Sequence, residues 1–350
     1  MRFAEGAPIP AITGTGAGLP NRVVDNAEIA LLLDRPPKVI NKVIGETVGV
    51  KTRRWVIPGE QASSNLASIA AMEAMDMAGI MPSNVKTLIV GTSSPDHISV
   101  AVAAMMQEQL GLRDNIRSYD VGGNACVGFI QSLKASFDNL TSPLGDEGPQ
   151  VVAGVEVLSK MIPNDPTKGI FGDGAGAVVT EMVIPDTGAP TNMGFAFGAD
   201  GKYSQDLLIP AGGSKYFTTE ETERTGMHLL HMDGKIIFDQ AVPRMAQMAR
   251  EALRKSGMPI EEVAYFIPHQ ANLAIIRAVA DELNFPMEKV IVTIDHTGNT
   301  SAGTIPIAMN ESVRDGRIKR NDMVMFAAFG AGLEFAAGLI PMVGLPKHPR

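Results

Sequence analysis

Cysteine is nearly absent from this chain, with one residue, Cys126, in 350. A single thiol excludes a disulfide-stapled scaffold and any Cys-rich zinc or iron–sulfur site, and it fits a reducing compartment. Basic residues are in deficit, Lys+Arg 30 against Asp+Glu 38, for a formal net charge of −8. That balance lacks the positive footprint of a nucleic-acid binder. No run of ~18 apolar residues occurs, so the sequence predicts no membrane span. The first residues, MRFAEGAPIPAITG, lack a basic segment leading into an apolar one, and so read as no secretory signal. Low-complexity tracts and charge blocks are missing as well. The expectation is a soluble, cytoplasmic globular protein.

What is present is apolar material: 45% hydrophobic residues and 19% charged, enough to fill a substantial core. The length calls for about two domains or one large duplicated unit. Asp25 three residues ahead of Glu28 has the form of a capping box opening an apolar run to Leu33. Small and apolar side chains at helical spacing predict a helix over 63–79 that stops at Gly79. Beyond it the pattern reads strand 86–90, helix 99–110, strand 117–121, helix 126–139 and strand 151–157, with turn-rich loops at 141–149 and 210–214. Such alternation implies an α/β fold with parallel pairing. The count of 20 methionines reads mainly as flexible core filler, including Met72, Met75, Met81, Met105 and Met106.

The chain repeats itself. Gly123-Asn124-Ala125-Cys126-Val127-Gly128 and Gly298-Asn299-Thr300-Ser301-Ala302-Gly303 share the form G-N-x-x-x-G at an offset of 175 (298 − 123). Each copy follows a β-rich stretch, 118–121 in one case and 290–294 in the other. Residues 88–90 have a counterpart in 265–267, and 151–157 in 324–329. Three ordered features at nearly the same offset indicate two related α/β halves, with chemistry where corresponding helix N-termini meet.

A buried cysteine is ordinarily inert filling, but Cys126 lies between Gly-rich backbone and an apolar run, at the expected start of a helix. There the dipole and free N–H groups favour thiolate, depress its pKa and can receive an oxyanion. A nucleophilic thiol needs a partner. His269, in Pro268-His269-Gln270-Ala271-Asn272, stands at a strand-to-helix corner, where α/β sheets bind ligands. Asn299 occupies the place in the second half that Asn124 has beside Cys126. Alone it would be read as turn chemistry; the duplication argues for the site. The loop 329–333 (Phe-Gly-Ala-Gly-Leu) is either a tight turn or brings an N–H to a bound carbonyl. His228 and His231 could share a helix face but have no thiol or carboxylate at ligand spacing, so no metal is expected. His97 and His348 read as loop or surface residues, and His296 as a turn residue with a structural role. Gly14-Thr15-Gly16-Ala17-Gly18 has the flavour of a dinucleotide fingerprint, yet Leu19-Pro20-Asn21-Arg22 separates it from any helix, and its spacing is not G-x-G-x-x-G.

Taken together, these motifs resemble the thiolase superfamily, and within it β-ketoacyl-[acyl-carrier-protein] synthase III. The likeness runs through nearly the whole chain. It rests on residues 12–20, the segment around Cys126, Phe171-Gly172-Asp173-Gly174-Ala175-Gly176-Ala177, Pro268-His269-Gln270-Ala271-Asn272, Gly298–Gly303 and 329–332. The resemblance implies a thiolase-like α/β fold of duplicated halves in α-β-α-β-α layers, with 1–184 carrying the nucleophile and 185–350 carrying the His and Asn. It implies that Cys126 accepts an acyl primer from a coenzyme A or carrier-protein thioester. The N–H groups of Cys126 and Ala331 would form the oxyanion hole. His269 and Asn299 would hold the enolate left when malonyl-acyl carrier protein loses CO₂. Fatty-acid or related biosynthesis, acyl carrier protein as partner, no metal or other cofactor, and a homodimer follow by the same route. Ser99, Lys168, Asn272 and Arg277 fall on the family's substrate path.

The chain also departs from the family pattern. The aromatic and basic residues that grip the coenzyme A adenine fall near Val43 and Thr47, with Lys168 keeping one cation. Ser99-Val100 replaces a Phe-Pro pair whose Phe reaches across the dimer into the acyl pocket, which implies a primer longer than acetyl. A basic residue expected at Ala274 is displaced to Arg277, which would shift the carrier-protein footprint. An acyltransferase or specialised ketosynthase on the same acyl-Cys chemistry is the competing reading, and a non-catalytic structural partner a more distant one.

Overall fold

The computed structural model describes residues 3–4, 6–146 and 148–347. The first sheet contains β1 (Ile9–Gly18), β2 (Thr87–Thr92), β3 (Arg117–Gly122), β4 (Gln150–Glu156) and β5 (Gly174–Val183), in the order β1-β5-β4-β2-β3. The second contains β6 (Gly194–Ala199), β7 (Tyr265–Pro268), β8 (Met323–Gly330) and β9 (Glu334–Pro341), in the order β7-β8-β9-β6.

Alternation along each strand decides which layer it faces. In β4, Val151, Ala153 and Val155 pack outward against α1 (Ser63–Ala78) and α2 (Val102–Gln109), whereas Val152 points inward. In β8, Val324, Phe326 and Ala328 face inward. Met323, Met325, Ala327 and Phe329 face the outer helices, α4 (Gly234–Ser256) and α5 (Leu273–Glu282). Between the sheets lie α3 (Gly128–Thr141) and α6 (Thr304–Arg314), through Phe129, Ile130, Leu133, Ile305, Ala308 and Met309. The result is five layers, α-β-α-β-α.

Pairing is mixed and not wholly parallel as the alternation implied. β2 runs parallel to β3 and β4, and β7 parallel to β8, but β4–β5, β1–β5, β8–β9 and β9–β6 are antiparallel. No helical crossover separates β8 from β9; three residues join them, which only antiparallel strands permit. The β-rich reading of 290–294 also needs correction. It supplies a single parallel bridge, Val290 to Phe266, before a helical turn over Ile294–Thr297. That bridge lies beside β7 as β3 lies beside β2. Expected helix 99–110 begins only at Val102, because Ala101 is extended, and Met72 and Met81 are exposed.

The glycines of β1 have a packing role. A Cβ on Gly14, Gly16 or Gly18 would fall 2.1, 2.1 or 2.0 Å from the carbonyl oxygens of Ala74, Ala70 or Leu66. The bare strand lets α1 lie directly against it, which accounts for the fingerprint-like run without a nucleotide. Asp25 caps the helix Asn26–Leu32 by accepting from Glu28 N–H at 2.8 Å, while the Glu28 carboxylate pairs with Arg22.

Candidate active site

Cys126 sits where β3 ends and a 3-10 turn, Ala125–Val127, feeds α3. Gly123 and Ala125 take positive φ, +79° and +41°, which swings the chain sharply across the sheet edge. The second half repeats the corner: Gly298 and Ser301 have φ of +66° and +49°, and the turn Ser301–Gly303 feeds α6. Two bare backbones let the corners close on the sheet. A Cβ on Gly91 would lie 2.4 Å from the Gly128 carbonyl carbon, and one on Gly154 would lie 2.3 Å from the Ala302 oxygen. Closure brings Cys126 Sγ to 3.3 Å from Ser301 Oγ.

His269 follows β7 and extends its ladder, donating its N–H to the Ala327 carbonyl at 2.8 Å. Its ring is buried, and Nδ1 lies 2.7 Å from Thr304 Oγ1. Thr304 Oγ1 also lies 3.0 Å from the Ser301 carbonyl and shares its one proton between that oxygen and Nδ1; with the proton toward Nδ1, the ring proton resides on Nε2. Burial pushes the imidazole down to about 3, so it stays neutral at any working pH. Gln270 braces the corner: its Oε1 accepts from Thr293 N–H at 2.8 Å and its Nε2 donates to Pro268 and Ile291 carbonyls. Asn299 is clamped by Ile170 and Gly172 backbone bonds at 2.9 and 3.0 Å. Its Oδ1 accepts from Ser301 N–H at 2.8 Å, leaving Nδ2 as the donor. Gly330 lies against the Cys126 corner, where an added Cβ would be 3.0 Å from Cys126 N.

These corners line one cavity of about 600 Å³. Cys126, His269, Asn299, Ala331 and Asn272 all border it, and Leu158, Phe171, Ile237, Phe238 and Met245 make much of its wall apolar. Asn272 also caps α5, accepting from Ala274 N–H at 2.8 Å. The other three substrate-path residues do not border it. Ser99 is exposed on the segment before α2, and Arg277 is exposed on α5. Lys168 lies over the Trp55 ring at 5.9 Å in a separate surface pocket with Arg22. Burial lowers the pKa of Lys168.

The thiol is not depressed as expected. Burial pushes Cys126 up to about 12 and the Glu156 charge adds to this, while the Ser301 hydroxyl and the cysteine's own N–H oppose it. A helix N-terminus contributes ~0.3–1 kcal/mol, up to ~2 in partly buried geometries, against 1.36 kcal/mol for each pKa unit. Desolvation therefore outweighs the helix terminus around this half-buried side chain, and the Cys126 pKa is shifted upward.

Sequence reasoning passed over Glu156, Ser301 and Thr304 as site residues. Glu156 had a visible signal, a lone carboxylate in the apolar strand 151–157; it is fully buried and borders the cavity. The remaining histidines stand elsewhere. His228 is in a turn and His231 in the short strand His231–Met232, not on one helix face. His97 is exposed, His296 pairs with Glu311 and Asp295, and His348 lies outside the described residues. Among the described residues no group of three or more His, Cys, Asp or Glu side chains is placed to hold a metal ion, and no helix is long and apolar enough to cross a membrane.

Comparison with known proteins agrees with this geometry. Residues 253–342 match the family described as 3-Oxoacyl-[acyl-carrier-protein (ACP)] synthase III C terminal. The chain is 36% identical over 331 residues to the β-ketoacyl-[acyl-carrier-protein] synthase III of Methylococcus capsulatus, covering 94% of this chain and 98% of that one. It is similar to the crystal structure of 3-oxoacyl-[acyl-carrier-protein] synthase III from Aquifex aeolicus, with TM-score 0.81, 32% identity and coverage of 95% and 99%. It is also similar to the priming β-ketosynthase of the R1128 polyketide biosynthetic pathway, with TM-score 0.85, 28% identity and 99% coverage of both chains.

Proposed function

Because this chain belongs to the β-ketoacyl-[acyl-carrier-protein] synthase III family and has its thiolase-like fold, we propose that it primes fatty-acid biosynthesis by decarboxylative Claisen condensation. The observation that carries this is the convergence of Cys126, His269, Asn299 and Ala331, from four separate corners, on one largely apolar cavity. Cys126 Sγ attacks the carbonyl carbon of an acyl thioester. The developing oxyanion is received by the Cys126 and Ala331 N–H groups, each such donor being worth ~3–4 kcal/mol. The donor thiol leaves and acyl-Cys126 remains. Malonyl-acyl carrier protein then enters and loses CO₂. The enolate oxygen is held by His269 Nε2–H and Asn299 Nδ2–H, both neutral donors that need no proton release. The carbanion attacks acyl-Cys126, and collapse expels the Cys126 thiolate, which takes up a proton from solvent, and leaves a β-ketoacyl product on the carrier.

The test is CO₂ release from malonyl-acyl carrier protein, dependent on a prior acyl-Cys126 adduct seen by intact mass. Adduct formation with no CO₂ release would favour simple acyl transfer. A specialised priming ketosynthase is the second reading; its support is the likeness to the R1128 enzyme and the exposed Val43 and Thr47 where the adenine grip would be.

The proposal extends to partner and assembly. Acyl carrier protein is the carrier, the acyl thioester needs no metal, and the enzyme works in the cytoplasm as a homodimer with the halves 1–184 and 185–350 as its repeated units. Ile98 is 89% exposed and Val100 42%, flanking a Ser99 that does not border its own chain's cavity. In a dimer this segment closes the partner's acyl pocket. Sedimentation equilibrium yielding a monomer at micromolar concentration would contradict that arrangement.

A further inference from the structure

Acylation of Cys126 requires its proton to leave, and the resting site disfavours the thiolate. Of the bases bordering the cavity, His269 is a poor one, since burial holds it down to about 3 and its Nδ1 is engaged by Thr304. Another path starts at the sulfur. Cys126 Sγ is 3.3 Å from Ser301 Oγ, and Ser301 Oγ donates to Glu156 Oε1 at 3.3 Å. When Ser301 gives its single proton to Glu156, the thiol is the donor to Ser301. Glu156 is itself seated: Ser93 N–H donates to Oε1 at 3.0 Å, and the Ser94 hydroxyl donates to Oε2. The Ser94 oxygen in turn accepts from Val157 N–H at 2.9 Å, so its proton is committed to the carboxylate.

We propose that Cys126 is deprotonated through Ser301 onto Glu156, a three-residue relay beneath the acylation site. It rests on the reading of Cys126 as the acyl-accepting nucleophile. As the S–C bond forms, the thiol proton passes to Ser301 Oγ and the Ser301 proton to Glu156 Oε1, while the carbonyl electron pair moves onto oxygen. As the adduct collapses, the C–S bond to the donor breaks and its thiolate takes a proton from Ser301, which recovers one from Glu156. Protons and charge balance over the half-reaction, and no other reagent is needed. Ser301 touches the reacting sulfur; Glu156 acts through it as a positioning residue. Burial pushes Glu156 up to about 7, with the Ser94, Ser93, Ser301 and Thr92 hydrogen bonds opposing, which makes it a competent acceptor near neutrality. The groups facing it are those hydroxyls and the Ser93 N–H, with the Cys126 thiol beyond Ser301 and His269 bordering the same cavity.

The lone cysteine makes the test direct, because iodoacetamide alkylates only Cys126 and needs no acyl donor. In the full-length wild type the alkylation rate should climb as pH rises through about 7, as Glu156 becomes able to accept the proton. Glu156→Gln should remove that climb and slow alkylation at pH 8 by about 100-fold, the low end of general-base effects. Ser301→Ala should do the same while keeping the Ser93 and Ser94 bonds to Glu156, and the double variant should be no slower than either single one. Circular dichroism checks that each variant is folded, and Ser301→Ala carries the test if Glu156→Gln is not. If Glu156 merely raises the thiol pKa by its charge, Glu156→Gln speeds alkylation. Faster or unchanged alkylation, or an unaltered pH profile, overturns the relay. Failure of the functional reading is separate and shows as a wild type that alkylates normally but forms no acyl-Cys126.

Discussion

Cys126 Sγ and Ser301 Oγ stand 3.3 Å apart across 175 residues, the interval that also separates Gly123 from Gly298. Corresponding positions of the two halves thus touch at the centre of the molecule. One half uses the position for the thiol, the other for a hydroxyl. The contact depends on backbones without side chains on the flanking strands, and on neutral partners able to work in a dry site.

Closure of the two corners is sensitive to a single methyl. Gly154→Ala places a Cβ 2.3 Å from the Ala302 oxygen, so the 301–303 turn must shift away from β4. Overpacking of this kind costs about 1–3 kcal/mol. Urea denaturation should show that loss, and acylation of Cys126 should slow with it because Ser301 moves with Ala302. Full stability would contradict the packing argument.

Thr304 holds the His269 ring, and donation to Nδ1 in preference to the Ser301 carbonyl selects the Nε2–H tautomer. Thr304→Val keeps the shape and removes the hydroxyl at 2.7 Å from Nδ1. Leaving that buried nitrogen unpaired is worth about 1–3 kcal/mol, or roughly 10–100-fold in CO₂ release from malonyl-acyl carrier protein. Acylation, which does not draw on His269, should fall much less. Equal losses in both half-reactions would remove Thr304 from this role.

The pH dependence of stability has a component at His296. Its imidazole is raised to about 9, chiefly by the hydrogen bond it donates to Glu311 and then by the one to Asp295, against burial. A raised folded value above the usual 6.5 means that the contribution is complete below about 6.5 and disappears as pH climbs through about 9. The pair is half-exposed, so solvent screening limits it to ~0.2–1 kcal/mol. His296→Gln should be less stable than wild type at pH 6 and equal to it at pH 10. The same deficit at both pH values would refute the assignment.

A cavity of this size predicts a primer longer than acetyl. Its volume of about 600 Å³ and apolar wall accommodate more than a two-carbon acyl group. Octanoyl thioesters should acylate Cys126 at least as fast as acetyl thioesters, as followed by intact mass. A strict acetyl preference would defeat the idea, and a bulky Ser99→Phe change should shift preference back toward acetyl.

Much of this site was legible along the chain because its parts are local. A Gly-Asn corner after a strand, a His after another, and a repeat at constant offset announce themselves through sequence order alone. Glu156 was equally visible as an acid in an apolar strand, yet its meaning was not, since its partners Ser94 and Ser301 lie 62 and 145 residues away. The helix terminus was overvalued for the same reason: a dipole is a local property, whereas desolvation is the sum of everything that folds around a group.

By itself, the sequence determined where the lone cysteine falls, the duplicated α/β plan and the residue types that could serve it, because periodicity and motif spacing are properties of one strand or one turn at a time. Only the tertiary structure decided strand direction at the hairpin of β8 and β9, the resting protonation of Cys126 and His269, and the meeting of Cys126 with Ser301. It also decided that Asn272 borders the cavity whereas Ser99, Lys168 and Arg277 do not. These depend on which distant segments pack together and how much water they exclude, and neither is written in any local run of residues.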